Sequence, residues 1–270
     1  FPGLGWGVHK ARFGLVGLYL RLSNNWRGLE SHTVDAWMRK WAGDFVYELM
    51  WQPLMIGKFG PRYADQVNMA WMWARLKART TRLGTFQGGF QAFADQFAAR
   101  LTEMGVQIHL STPISQISAA PGKQVAIHDG QGSTLFDQAL VTTSPSLLAR
   151  LTPELPEAYL SGLLSLKSMG AVVMVVALKQ QLSTQGYYWY NMPKSAGFPF
   201  LALVEHTNFL SPEYFGGEHI VYMGDYLDPD HEYFRLSQEA LLERFLPALP
   251  RINPNFKPDW VRKAWLFRTK

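Results

Sequence analysis

The chain has 270 residues, of which 47% are hydrophobic and 17% charged; this excludes a disordered segment and leaves room for one large domain or two modest ones. Lys plus Arg number 26 and Asp plus Glu 21, a net charge of +5 that is scattered along the sequence and matches no nucleic-acid-binding motif. No cysteine occurs, which excludes disulfides, thiolate catalysis and Cys-held metals and suits a reducing, cytoplasmic setting.

Residues 1–86 read as mostly helical. The opening Phe1-Pro2-Gly3-Leu4-Gly5 lacks the basic and apolar blocks of a signal peptide, and the apolar patch 13–22 is broken by Arg21 and too short to span a bilayer. Phe13, Val16 and Leu20 recur at helical spacing. A second helix is expected to open near Ser31 or Thr33 with Asp35 in its first turn, to carry the stripe Val34, Met38, Trp41, Phe45, Leu49, and to close at Pro53 and Gly57. Asp65 is the expected cap of a third helix, with Met69, Trp73 and Leu76 on one face and Gly84 at its end. Arg75, Lys77, Arg79 and Arg82 form the densest basic group; it reads either as a solvated face or as a patch for phosphate or an anionic membrane surface.

Residues 87–150 read as α/β. Gly88-Gly89 precedes the periodic Phe90, Phe93, Phe97, Leu101, Met104, and Gly105 stands where a left-handed residue stops a helix. A strand is expected at 106–110. Pro121-Gly122 and Asp129-Gly130 mark turns between further strands, and 135–142 is a β-prone run leading to Ser144-Pro145. The glycine pair has two readings: a turn that needs positive φ, or a close approach of backbone to a phosphate or ring.

Residues 151–270 return to a mixed pattern. A short helix is expected at 153–164. The run 171–178 is apolar on both faces and reads as a central strand; 187–190, 200–205 and 220–226 read as antiparallel neighbours in the same sheet. Ser237 caps a helix with Leu236 and Leu241 as its hydrophobic staple, and a last strand runs over 260–268. Tyr188, Tyr190, Tyr222 and Tyr226 alternate along two of these strands, which places phenols on one face if the strands pair. Glu205-His206 is an acid–base candidate at a strand end, although adjacent strand residues point to opposite faces. His206, His219 and His231 with Asp225, Asp228 and Asp230 match no metal-ligand spacing.

The order of these features resembles the FAD-dependent amine oxidase, protoporphyrinogen oxidase and phytoene desaturase superfamily. The resemblance rests on Gly88-Gly89, the helix after it, Gly-Val-x-Ile-x-Leu from Gly105, Pro113-Ile114 and Thr142-Thr143-Ser144-Pro145. It extends to Pro53-Leu54 and Gly57-Lys58-Phe59-Gly60, and to Glu205-His206-Thr207-Asn208. It implies an α+β fold: a mixed, mainly antiparallel sheet with flanking helices, plus a partial FAD-binding α/β segment at 87–150, the flanking parts 1–86 and 151–270 forming a substrate domain. It further implies FAD as cofactor, with Gly88, Gly89, Ile114, Thr143, Ser144, Pro145 and Trp265 beside it. Trp51, Tyr188, Tyr190, His206 and Tyr222 would line a cavity for a bulky apolar porphyrinogen, polyene or amine, and Glu205 and His206 are the weak catalytic candidates. The superfamily's Gly-x-Gly-x-x-Gly phosphate turn is absent, since Gly3-Leu4-Gly5-Trp6-Gly7 has the wrong spacing, and the family's last flavin segment would follow Trp265; a truncated piece that binds FAD poorly is therefore expected. The alternative is a non-catalytic module that holds a hydrophobic ligand or a membrane surface through its aromatic sheet and the basic 75–82 segment.

Overall fold

The computed structural model describes residues 7–80 and 82–270; the opening residues 1–6, with the glycines discussed for them, lie outside these. Two compact units divide the chain, one joining the segment up to Arg79 with Ser168–Lys270, the other comprising Thr80–Lys167.

The first segment is helical: α1 Val8–Leu22, α2 Trp26–Glu30, α3 Val34–Ala42, α4 Asp44–Val46, a π-helical turn Tyr47–Trp51, α5 Gln52–Phe59 and α6 Met69–Lys77. Thr33 caps α3, its hydroxyl accepting from the Ala36 N–H. The long second helix expected from the sequence is broken. Gly43 ends α3 at φ 94°, where its N–H bonds to the Met38 and Arg39 carbonyls, and the chain restarts as α4. The expected stripe Trp41, Phe45, Leu49 is therefore half-exposed, while Trp37, Met38, Ala42, Val46 and Tyr47 form the core with Leu20, Met55 and Met69. Arg39 ties the two sides of the break: its guanidinium bonds Asp35, Asp44 and Glu48 and lies 4.7 Å from the Tyr47 ring centroid. These carboxylates push the Arg39 pKa further up, and burial beside Asp35 raises the Tyr47 phenol to about 12. Pro53 sits in the first turn of α5, where its missing N–H costs nothing, and Gly60, not Gly57, ends the helix. Asn68, not Asp65, caps α6, which ends at Ala78, before Gly84.

In the second unit, α7 Gly89–Glu103 begins at a left-handed Gly88. Its C-terminus is a Schellman stop: Val106 N–H bonds the Leu101 carbonyl, Gly105 N–H bonds Thr102, and Gly105 has φ 89°. Strands β1 Ile114–Ala120, β2 Gln124–Asp129 and β3 Ser133–Phe136 form an antiparallel meander in that order, turned by Gly122 and by Asp129, whose carboxylate accepts from the Gln131 and Gly132 N–H groups. Helices α8 Pro145–Leu151 and α9 Glu157–Ser165 follow. The expected strand at 106–110 and the end of the run at 135–142 are not strands. No described segment offers either one a hydrogen-bonding ladder, and Leu110 and Leu140 are 82% and 91% exposed.

The chain then re-enters the first unit with β4 Gly170–Leu178, β5 Trp189–Asn191, β6 Ala202–Glu205, β7 His219–Leu227, α10 Gln238–Phe245 and β8 Val261–Thr269. The five strands form one sheet in the order β5-β6-β7-β4-β8, and each pair is antiparallel. β4 lies between β7 and β8, which explains its unbroken apolar run. One face of the sheet, with Leu203, Met223, Met174 and Val176, packs on α10 and the aromatic residues Phe245, Phe256 and Trp260; burying each such side chain contributes about 1.5–3 kcal/mol. Ser237 caps α10 through the Ala240 N–H, and Leu236 and Leu241 join the same core, as the staple requires. The other face is left to line a cavity.

Candidate functional site

That cavity lies inside the first unit and measures about 690 Å³, a size suited to a drug-sized molecule. Its floor is the open face of the sheet. Side-chain alternation sets the floor through the register Trp189↔Val204↔Tyr222 and, one step along, Asn191↔Ala202↔Gly224↔Val173. Gly224 keeps the middle of the floor low, because a Cβ there would sit 3.2 Å from the Val172 carbonyl and 3.3 Å from the Val173 methyl. The roof comes from α5 and α6. Leu54 and Lys58 stand one turn apart on α5; Trp71, Arg75 and Arg79 follow at four-residue steps along α6 and just past it, with Met72 and Leu76 beside them. Gly57 lets α5 approach the sheet, since a Cβ there would be 2.7 Å from the Leu201 Cδ1.

Of the residues singled out in the sequence, Trp51, Tyr188, His206 and Tyr222 line this cavity together. His206 lies immediately after β6, inside an aromatic surround: its ring centroid is 5.5 Å from Tyr222 and Phe215, 6.3 Å from Tyr188 and 6.4 Å from Phe209. Burial pushes its pKa below the ordinary histidine value, which holds the imidazole neutral at pH 7. Burial, reinforced by the nearby Tyr188, pushes the Tyr222 phenol up, so it remains a protonated donor.

Two expectations need correction. Tyr190 pairs with Leu203 in the register and shares the core face, so it points away from the cavity; its hydroxyl is buried without a hydrogen-bond partner. The sequence pattern misled because β5 begins only at Trp189: Tyr188 precedes the strand, and within it Trp189 and Asn191 take the cavity face, which leaves Tyr190 on the other. Glu205, the acid–base candidate beside His206, is fully buried on that same face. Its oxygens accept from the Leu182 N–H at 2.6 Å, the Ser183 N–H at 2.9 and 3.1 Å and Asn208 Nδ2 at 2.9 Å. All its acceptor capacity is spent holding the 182–183 turn, which makes it a structural anchor. The lining residues missed by sequence reading are Trp71, Trp189 and Lys58, and Arg75 and Arg79, noted there as part of a basic group, were not assigned to the substrate cavity. The four-residue spacing along α6 was the available signal, and it reads equally as a solvated helix face.

The expected cofactor residues divide between the units. Gly88 and Gly89 open α7, Ile114 is the first residue of β1, and Ser144 and Pro145 are the cap and first residue of α8, which packs against β1. Thr143 precedes that cap. Trp265 belongs to the other unit, on β8, opposite Val175 and in one apolar cluster with Tyr222. The residues of the second unit suit the anionic part of a dinucleotide in one respect. No side chain caps α7, both glycines hold positive φ (78° and 81°), and a Cβ on Gly89 would meet nothing within 4 Å. A 15-residue helix N-terminus left uncapped behind open space accepts negative charge. Among the described residues, no group of three or more His, Asp or Glu gathers to hold a metal, and no helix is long and apolar enough to cross a membrane.

A helical layer over an antiparallel sheet, coupled to a smaller glycine-opened α/β unit, defines the class. The profile of the flavin-containing amine oxidoreductases matches residues 29–266, and the chain belongs to that family. Its fold is also shared with several solved structures. An oxidoreductase from Methanosarcina mazei superposes with a TM-score of 0.71 at 18% identity, covering 99% of this chain and 62% of that one. A protein described as a protoporphyrinogen oxidase from Exiguobacterium sp. gives 0.65 at 17%, covering 98% and 60%. A putrescine oxidase solved with putrescine gives 0.63 at 13%, covering 98% and 63%. The chain thus spans about three fifths of the length of these structures. No protein of curated function matches the sequence.

Proposed function

We propose that this chain is the substrate-binding portion of an FAD-dependent oxidoreductase that removes hydride from a bulky, largely apolar molecule. The observation that carries the reading is the 690 Å³ cavity, floored by sheet residues and roofed by α5 and α6, in a chain of the flavin amine oxidoreductase family. Trp51, Trp71, Tyr188 and Tyr222 would grip a large flat or extended body and exclude water from it. His206, neutral, and Tyr222, protonated, would orient a polar group of the substrate by hydrogen bonding without carrying charge into the cavity. Gly88 and Gly89, at the start of α7, would face the anionic part of the cofactor, with Ile114, Thr143, Ser144 and Pro145 as further contacts and Trp265 near the ring. FAD, when bound, supplies the hydride acceptor. The buried pairing of Glu205 removes the one acid–base couple suggested by the sequence, which fits chemistry that needs little proton transfer from the protein.

The test is to express the chain with the coding sequence that flanks it in its gene, add FAD and separate free flavin by size exclusion. The protein should keep its flavin and the flavin should bleach anaerobically with a porphyrinogen, polyene or bulky amine donor. A protein that stays colourless after FAD addition refutes the proposal.

A further inference from the structure

The roof of the cavity carries a charge pattern that an apolar substrate alone does not use. Lys58, Arg75 and Arg79 all line it, and none has a carboxylate partner among the described residues. The single carboxylate on the cavity wall, Asp225, is already ion-paired with Lys194. Trp71 and Tyr226 hold two of the three cations on the cavity wall: the Arg75 guanidinium lies 4.7 Å from the Trp71 centroid, and the Lys58 ammonium lies 4.3 Å from Tyr226 and 6.0 Å from Trp71. Ring faces steer a cation without satisfying its N–H donors, so these donors remain available. Arg79 follows just past the end of α6 and lines the same cavity. Three like charges lining one cavity raise its positive potential, and a bound counter-charge offsets it.

Resting on the substrate-cavity reading above, we infer that the molecule bound here carries an anionic head, a carboxylate, on its apolar body. Lys58, Arg75 and Arg79 hold the head, and the body lies between Trp71 and the sheet. A protonated amine is disfavoured in the same cavity by the same charges. The sequence-level basic cluster thus divides: Arg75 and Arg79 serve the cavity, whereas Lys77 turns away and donates to the Ser23 carbonyl at 2.9 Å.

The experiment uses this chain without flavin. Dodecanoate, dodecanol and dodecylammonium, each below its micelle concentration, are titrated against tryptophan emission, because Trp51, Trp71 and Trp189 border the cavity. Dodecanoate should bind about tenfold tighter than dodecanol, the product of roughly twofold for each of three exposed ion pairs, and dodecylammonium weakest. The preference should shrink as salt rises. Substituting all three (K58Q/R75Q/R79Q) should bring the ratio of dodecanoate to dodecanol affinity to about one, and R75E should improve dodecylammonium relative to dodecanol. Equal binding of dodecanoate and dodecanol by the native chain, or tightest binding of dodecylammonium, overturns the inference whether or not the variants fold. So does binding confined to anionic lipid vesicles that dodecanoate does not displace. Because no flavin enters the assay, failure here is separate from failure of FAD uptake.

Discussion

Removing the Glu205 carboxylate tests whether it is an anchor or a catalyst. In E205A, the Leu182 and Ser183 N–H groups lose their acceptor while remaining buried, since Leu182 is inaccessible and Ser183 is 3% exposed. Each buried, unpaired donor costs about 1–3 kcal/mol. Asn208 loses one of its bonds but keeps the Tyr187 carbonyl and the Ser183 hydroxyl, so its share is small. The carbonyl of Leu182 stays bonded to Asn253 Nδ2 at 2.8 Å, which holds the turn in place and prevents water from rescuing the donors by local opening. The sum is about 2–6 kcal/mol, equivalent to a fall in melting temperature of roughly 10 °C for a unit of this size. E205Q retains one acceptor oxygen and should lose about 1–2 kcal/mol. Denaturant unfolding followed by tryptophan emission measures both. A loss under about 1 kcal/mol for E205A, or a folded E205Q protein that loses cavity ligand binding, would show that the carboxylate works in the cavity and refute the anchor role.

Other outcomes follow from local geometry. G88A should cost about 1–2 kcal/mol, because φ is 78° and the new methyl would lie 2.9 Å from the Ala92 Cβ, whereas G89A, with open space around it, should cost only the backbone strain; thermal melts of the two separate these terms. G170A should lose about 1–3 kcal/mol, since its Cβ would fall 2.3 Å from Phe234 Cζ and 2.9 Å from the Thr269 carbonyl, and unchanged unfolding would show that β4 and β8 can part there. The His206 pKa is lowered by burial, so the unfolded chain binds more protons below about pH 6.5 and stability should fall as pH drops through that value; in H206F the slope of unfolding free energy between roughly pH 5 and 8 should be flatter.

Much of the sheet was readable because its signal is short-range. Alternation places Val204 and Tyr222 on one face and Leu203 and Met223 on the other, and the apolar run of β4 marks a strand with a neighbour on each side. The stops at Gly105 and Ser237 were equally legible, since each depends on a few adjacent residues. What failed depends on partners distant in sequence. The strand expected at 106–110 finds no partner among the described residues, and the facing of Tyr190 depends on β5 starting only at Trp189, a boundary set by its pairing with β6. The break at Gly43 was hidden because Trp41, Phe45 and Leu49 keep helical spacing across it, and a stripe of rings says nothing about which side turns inward. Part of the aromatic lining was foreseen, namely Trp51, Tyr188, His206 and Tyr222. The basic group at Arg75 and Arg79 was visible but its place in the cavity was not, because Arg and Lys at four-residue steps are the ordinary dress of an exposed helix.

The π-helical turn Tyr47–Trp51 stands just ahead of α5 and holds one more residue than an α-helical turn would. That surplus acts as a phase adjuster. Each residue of an α-helix advances its side chain by about 100°, so rewinding 47–51 as an ordinary α-helix with every residue kept would swing Leu54, Met55 and Lys58 by about that angle around the axis. The ring of Trp51 would part from Phe13, 6.1 Å away, and the ammonium of Lys58 would leave Tyr226. The aim of an entire wall thus depends on one widened turn of backbone.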